Sequence, residues 1–348
     1  MRVFGLIALF VLGVSMSAGA AVKPKWAIVV HGGAGVIERK DLSPDQERAY
    51  RGAMGHVAEV GGEVLKRGGT ALDAIEAAIR VLEDDPLFNA GRGAVFTAEG
   101  RNELDSSIMD GATLKAGAVA GITHTRHPIS LARAVMEKSP HVMLIGAGAE
   151  KFGQTQGLEQ ADPGYFFTER RWKSLIKFLN AEHLPIPERP AGAPSSPSAK
   201  AELAHDEGKH GTVGVVALDS RGNVAAGTST GGTTGKRWGR VGDSPIIGAG
   251  TYASNASCAV SATGSGEYFI RLTVARDICA RVELQHMSLQ AAVDEVIQIK
   301  LTALGGDGGV IAVSPDGQMA WSFNTSGMYR ARLTDGQPLS VGIYKDEP

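Results

Sequence analysis

Cysteine is nearly absent: only Cys258 and Cys279 occur in 348 residues. Two cysteines cannot make a disulfide framework, which leaves either a single bridge in an exported chain or two unlinked buried thiols. An excess of one charge is also missing. Lys and Arg number 35 against 37 Asp and Glu, for a formal net charge of -2. That balance supplies no electrostatic footprint for nucleic acid or an anionic membrane surface. No His/Cys cluster has zinc-ligand spacing, and no internal repeat is visible. A single long apolar run exists, at the start of the chain. Arg2, the apolar stretch Val3 to Val14 and the small residues Ala18-Gly19-Ala20 read as an export signal over 1–20. The run is short for a bilayer span, although an N-terminal membrane anchor is the alternative. The expectation is an exported, periplasmic or secreted protein beginning at Ala21, off the membrane once the signal is removed.

Glycine, by contrast, is abundant: 46 residues, about twice the average usage of roughly 7%. The glycines cluster in short motifs without a collagen-like period, which points to tight turns and close backbone approach to a ligand. The 43% hydrophobic content is that of a packed globular protein. Trp26 to Val30 reads as a buried strand followed by a loop, HGGAG, at His31 to Gly35. Ser43, Pro44 and Gln46 form a helix start, and that helix is expected to stop near Gly68-Gly69. Thr70 with Asp73 opens another, to about Glu83. Residues 94–123 look like β-structure. A helix from about Ser130 to Lys138 and a strand from Val142 to Ile145 follow. Later come strands at 213–218 and 223–228, helical runs at 266–284 and 288–304, and a closing hairpin at 309–323.

Between these halves the character changes. Pro185, Pro187, Pro190, Pro194 and Pro197 lie among Ala, Ser, Lys and Glu. Such a stretch buries too little apolar surface to offset its ordering entropy, so 184–210 reads as a disordered linker. It runs directly into Gly211-Thr212 and a β-branched strand. By itself a threonine opening a strand is ordinary. If the Gly211–Thr212 bond breaks, however, Thr212 gains an α-amine with a pKa of about 7.7–8.0. Nucleophile and general base then belong to one residue.

Several longer motifs occur in order. GTVGVVALD, GTSTGG (Gly227 to Gly232), GRVGDSPIIGAGTYA (Gly239 to Ala253) and ATGSGE (Ala262 to Glu267) resemble the β-subunit of plant-type L-asparaginases and isoaspartyl peptidases. HGGAG and the stretch Pro86 to Gly111 resemble the matching α-subunit. The resemblance covers nearly the whole chain after the signal. It implies a four-layer αββα sandwich of the N-terminal-nucleophile (Ntn) hydrolase type, with an α-subunit over 21–211 and a β-subunit over 212–348 forming one domain. It implies autoproteolysis between Gly211 and Thr212, and hydrolysis of β-aspartyl peptides and L-asparagine to release aspartate. Thr212 is the implied nucleophile, with Thr230 beside it, Asn89 nearby, and Thr263 and Gly264 as oxyanion hole. Arg240 and Asp243 would clamp the α-carboxylate and α-ammonium of the substrate, with Gly266 adding a backbone contact. The fork of arginine suits a carboxylate, although alone the pair reads as a surface ion pair. The loop Leu82 to Arg92 resembles the family's sodium loop, with main-chain carbonyls of Leu82, Glu83, Asp85, Phe88, Ala90 and Arg92 as ligands. No organic cofactor is implied. The expected assembly is a homodimer of processed α/β units.

Rival readings remain at this level. Gly227-Thr-Ser-Thr-Gly231 fits the serine-esterase pattern G-x-S-x-G, but no helical periodicity follows it. Gly235-Lys236 lacks the remainder of a phosphate-binding loop. Glycosylasparaginase shares the GRVGDSP region but generally starts its β-subunit differently. A non-enzymatic amino-acid-binding protein would use Arg240 and Asp243 equally well, and it would stay uncut.

Overall fold

The computed structural model describes residues 24–194 and 211–347. The expected signal at 1–20 lies outside them, as does the part of the linker at 195–210. Twelve strands occur among the described residues, in chain order: β1 (Ala27–Gly35), β2 (Leu104–Asp110), β3 (Ala116–Ile122), β4 (Met143–Ile145), β5 (Val213–Leu218), β6 (Val224–Thr230), β7 (Thr251–Ala253), β8 (Ala259–Gly264), β9 (Gly308–Val313), β10 (Met319–Phe323), β11 (Gly327–Thr334) and β12 (Ser340–Tyr344). Eight form one sheet in the order β12-β11-β1-β5-β6-β2-β3-β4, and four form a second, β10-β9-β8-β7.

Side-chain alternation explains why the sheets stack. Successive residues of a strand face opposite sides. In β1, Ile28 and Val30 join a core under the first helices, while Ala27 and Val29 join a core between the sheets. In β5, Val213, Val215 and Ala217 face the helices, and Val216 and Leu218 face the second sheet. Helices α1 (Pro44–Lys66), α2 (Ala71–Asp84) and α3 (Pro128–Lys138) cover the first sheet. On α2 the buried residues Ala71, Ala74, Ile75, Ala78, Ile79 and Leu82 form one helical stripe. Each large aliphatic among them contributes about 1.5–3 kcal/mol by burial. Across the molecule, Val260 and Ala262 of β8 face a separate core shared with Val274, Ile278 and Val296. The layers are therefore helix, sheet, sheet, helix: the αββα arrangement that the motif resemblance implies.

Local reading holds at the helix starts. Ser43 and Gln46 close a capping box on α1, with Pro44 at its first turn, and Thr70 and Asp73 close one on α2. It departs elsewhere. HGGAG is strand rather than loop, because β1 continues pairing with β11 past a bulge between His31 and Gly33. Residues 94–103 contain no strand beyond an isolated bridge at Thr97. The helical run from Gly266 breaks at Thr273, whose φ of 47° is left-handed. The hairpin at 309–323 does not close the chain, since β11 and β12 follow it to complete the first sheet. Residues 184–194, expected to be disordered, pack instead: Leu184 and Ala193 lie against a cluster of Phe96, Phe167, Trp172 and Leu175. Cys258 and Cys279 form a disulfide. No helix among the described residues is long and apolar enough to cross a membrane.

Candidate active site

The β5–β6 hairpin places the central pair. Its turn is held by Asp219, whose carboxylate accepts from the Arg221 and Asn223 amides. The register pairs Val213 with Ser229, so one step further Thr212 lies beside Thr230. The Thr212 hydroxyl donates to Thr230 Oγ1 at 3.1 Å. Thr230 in turn donates to the Gly211 carbonyl oxygen at 3.2 Å and accepts from the Gly232 amide at 3.0 Å. One hydroxyl thus orients the candidate nucleophile and touches the bond expected to break.

Asn89 touches the same carbonyl. Its Nδ2 donates to the Gly211 oxygen at 2.6 Å and to the Gly232 oxygen at 2.8 Å, and its Oδ1 accepts from the Val95 amide at 2.9 Å. Asn89 is fully buried, and these three bonds fix its amide. Two donors, Asn89 Nδ2 and Thr230 Oγ1, therefore converge on the Gly211 oxygen, where negative charge would develop during attack by Thr212. Gly33 of β1 closes the other side; a Cβ there would sit 3.3 Å from Gly211 Cα.

Thr263 and Gly264 end β8, on the facing sheet. Thr263 Oγ1 accepts from the Ala34 amide at 3.3 Å, which places it next to Gly33 and the Thr212 main chain. Gly264 has φ of 153°, and a Cβ would collide with the Asp307 carbonyl. Only glycine fits there.

Arg240, Asp243 and Gly266 also come together. A Cβ on Gly266 would sit 2.9 Å from both Arg240 Nη2 and Asp243 Oδ1. One on Gly232 would sit 3.5 Å from Arg240 Nη1, and Gly232 is bonded to Thr230 and Asn89. The expected side-chain clamp therefore borders the threonine pair. Arg240 does not form an ion pair with Asp243. It bonds Glu267 at 3.0 and 3.1 Å, while Asp243 is buried and its Oδ2 has no hydrogen-bond partner among the described residues. Burial pushes Asp243 up to about 7, with Arg240 pulling it down and Glu267 and Asp105 pushing it up. A buried carboxylate with one oxygen unbonded and no ion-pair partner suits a cationic ligand.

The expected sodium loop is tightly folded. The Glu83, Pro86 and Phe88 carbonyls press onto Gly91 and Gly93, where any Cβ would collide. Leu82, Asp85 and Ala90 carbonyls accept amides from Asp85, Phe88 and Gly93, each keeping a second lone pair. Arg92 directs its guanidinium over the Tyr165 ring, 5.6 Å from the centroid. Among the described residues no group of three His, Cys, Asp or Glu side chains could hold a metal; the expected ligands are the loop's main-chain carbonyls. The Glu83 side chain is used elsewhere: it accepts from Ser229 Oγ at 2.6 Å and the Ile129 amide at 3.0 Å. Burial raises its pKa to about 8.

That Ser229 contact removes the esterase reading, since Ser229 faces the helix layer, opposite to Thr228 and Thr230. Sequence reasoning missed Lys236 and Asp105, buried neighbours of the site 3.6 Å apart. Lys236 Nζ also donates to the Glu103 carbonyl at 2.8 Å. In the sequence Lys236 reads only as part of an incomplete phosphate loop, and Asp105 carries no signal beyond lying in the Pro86–Gly111 stretch.

Comparison with known proteins agrees with this geometry. The family profile described as Asparaginase matches residues 24–343. An isoaspartyl peptidase of Salmonella typhimurium is 49% identical over 322 residues, covering 92% of this chain and 99% of that protein. One from Escherichia coli is 49% identical over 323 residues, covering 93% and 97%. A plant-type L-asparaginase of Pyrococcus abyssi is 42% identical over 313 residues, covering 89% and 97%. With the threonine pair, the gripped Gly211 carbonyl and the Arg240/Asp243 pocket in one place, the chain belongs to the asparaginase family of hydrolases.

Proposed function

We propose that this chain cuts itself between Gly211 and Thr212, and that Thr212 then serves as the nucleophile that hydrolyses β-aspartyl peptides and L-asparagine. The observation that carries this reading is the convergence of Thr212 Oγ1, Thr230 Oγ1 and Asn89 Nδ2 on the Gly211 peptide. In the first reaction Thr212 Oγ1 attacks the Gly211 carbonyl carbon, and the acyl group passes from nitrogen to oxygen. Asn89 and Thr230 donate to the oxyanion. Water then hydrolyses the ester, giving a Gly211 carboxylate and a free Thr212 amine.

In turnover that amine, with an ordinary pKa of about 7.7–8.0, accepts the Thr212 hydroxyl proton as Oγ1 attacks the substrate's side-chain amide carbonyl. The Thr263 hydroxyl and the Gly264 amide donate to the oxyanion. The leaving amine takes the proton, and water releases aspartate from the ester. Arg240 binds the α-carboxylate and Asp243 the α-ammonium, with Gly266 leaving room between them. A hard cation such as sodium fits the carbonyl-lined loop Leu82 to Arg92 and would stiffen the segment that carries Asn89. The processed units pair as a homodimer.

Export through residues 1–20 completes the reading. The Cys258–Cys279 bridge suits an oxidising compartment. The test is turnover of β-Asp-Leu, L-asparagine and a glycosylated asparagine by wild type and Thr212→Ala. Hydrolysis of the first two by wild type alone supports the proposal. Equal turnover by Thr212→Ala refutes it.

A further inference from the structure

We propose that His31 is a positioning residue for Thr212: a buried imidazole that braces the start of β5, the strand that follows the nucleophile, against a chain of hydroxyls crossing between the two sheets. This inference rests on the nucleophile assignment made above and adds a residue to it.

The placement follows from strand register. His31 of β1 pairs with Gly214 of β5, two residues after Thr212. Its ring lies fully buried in the space between the sheets. Nε2 is 3.0 Å from Ser261 Oγ on β8, in the facing sheet. A Cβ at position 214 would collide with both Ser261 Oγ and His31 Nε2, so glycine there lets the ring lie across β5. The pairing of His31 with Gly214 sets it two residues from Thr212, whose backbone draws its pKa upward. Burial outweighs that pull and lowers it to about 3, so the ring is neutral at any working pH. In the uncut chain Nδ1 completes no hydrogen bond among the described residues. A neutral donor or acceptor therefore stands spare beside the residue that must change partners when its peptide bond breaks.

The far side of the ring is anchored. Ser261 Oγ meets Thr228 Oγ1 at 2.7 Å, and Thr251 Oγ1 donates to Thr228 Oγ1 at 2.6 Å. Ser107 Oγ lies 2.8 Å from Thr251 Oγ1 and 2.6 Å from the carbonyl of Ser244, the residue after Asp243. These side chains come from β8, β6, β7 and β2, and all are buried. Elsewhere the intersheet layer is apolar, built from residues such as Val29, Val216 and Ile311. Burying a row of hydroxyls costs free energy unless each is bonded, and a connected row is rigid and directional where an apolar core is not. Here the row runs from the His31 ring, beside the strand that follows the nucleophile, to the segment that carries the substrate's ammonium partner.

The test uses His31→Leu, His31→Asn, Ser261→Ala and the His31→Leu/Ser261→Ala double variant, each measured on folded, cut protein. Loss of nucleophile alignment costs up to about 100-fold in rate. His31→Leu is expected to lower kcat on L-asparagine by roughly 10- to 100-fold with KM nearly unchanged, and to slow appearance of the two fragments. His31→Asn keeps a polar atom near the Nδ1 position and is expected to recover part of kcat. The double variant is expected to be no worse than His31→Leu alone, since both changes cut one linkage. Wild-type kcat in cut His31→Leu, even with a lowered melting temperature, would overturn the proposal and leave Thr212 as nucleophile. An active Thr212→Ala chain would instead remove the nucleophile assignment itself, whatever the His31 variants do.

Discussion

Replacing Asn89 by alanine separates the cutting reaction from substrate binding. Asn89 donates to the Gly211 oxygen at 2.6 Å, closer than the 3.2 Å contact from Thr230. Deleting one oxyanion donor typically slows a reaction by about 10²–10³-fold, or about 2.7–4 kcal/mol of barrier. The same change leaves the buried Gly232 carbonyl and Val95 amide without their side-chain partner. Each such orphaned group costs about 1–3 kcal/mol of stability, so Asn89→Ala is expected to melt at lower temperature as well. The assay is a pulse of cell-free synthesis followed by gel separation of whole chain and fragments over time, with thermal unfolding measured in parallel. A folded Asn89→Ala chain that cuts within tenfold of wild type would refute the assignment of Asn89 to the oxyanion.

Other outcomes follow from the pocket and the disulfide. Asp243, raised to about 7 by burial, must be ionised to hold an ammonium group, so its binding form is lost as pH falls through that value. KM for L-asparagine is expected to rise about tenfold per pH unit below about 7, and a KM flat from pH 5 to 8 would contradict the role. Arg240→Ala is expected to raise KM roughly 10- to 100-fold, the worth of a hydrogen bond to a charged group, with a smaller change in kcat. Unchanged kinetics would remove Arg240 from the clamp. The Cys258–Cys279 bridge spans a sequence separation of 21, which in the chain-entropy treatment contributes roughly 3 kcal/mol. A Cys258→Ser/Cys279→Ser chain is expected to unfold at lower denaturant while keeping its activity. Equal midpoints would show that the bridge constrains little.

Much of the site was legible because its residues sit in contiguous motifs. Thr212 and Thr230 open and close one hairpin, so the spacing of two strands and a turn at Asp219 to Gly222 already implies their contact. The helix starts at Ser43 and Thr70 were equally readable, since capping is local chemistry. What stayed hidden depends on distant parts. HGGAG looks like a loop, yet β11 from the far end of the chain pairs with it and holds it extended. Arg240 and Asp243 look like partners three residues apart, but Glu267 takes the arginine and leaves the aspartate buried and without an ion-pair partner. Strand β11 is hidden in the sequence because Arg330 and Arg332 interrupt its apolar pattern; Arg330 is nevertheless buried, donating to the Met328 and Tyr344 carbonyls. His31 carries one signal only, a titratable residue following the five buried apolar positions Trp26 to Val30, and its hydrogen-bond partner Ser261 lies 230 residues away.

Terminal sequencing of the fragments in fully active enzyme tests self-cleavage most directly. The smaller fragment is expected to begin at Thr212 and the larger to end at Gly211, with activity growing in step with their appearance. A different new terminus, or full turnover by polypeptide that remains whole, would contradict it.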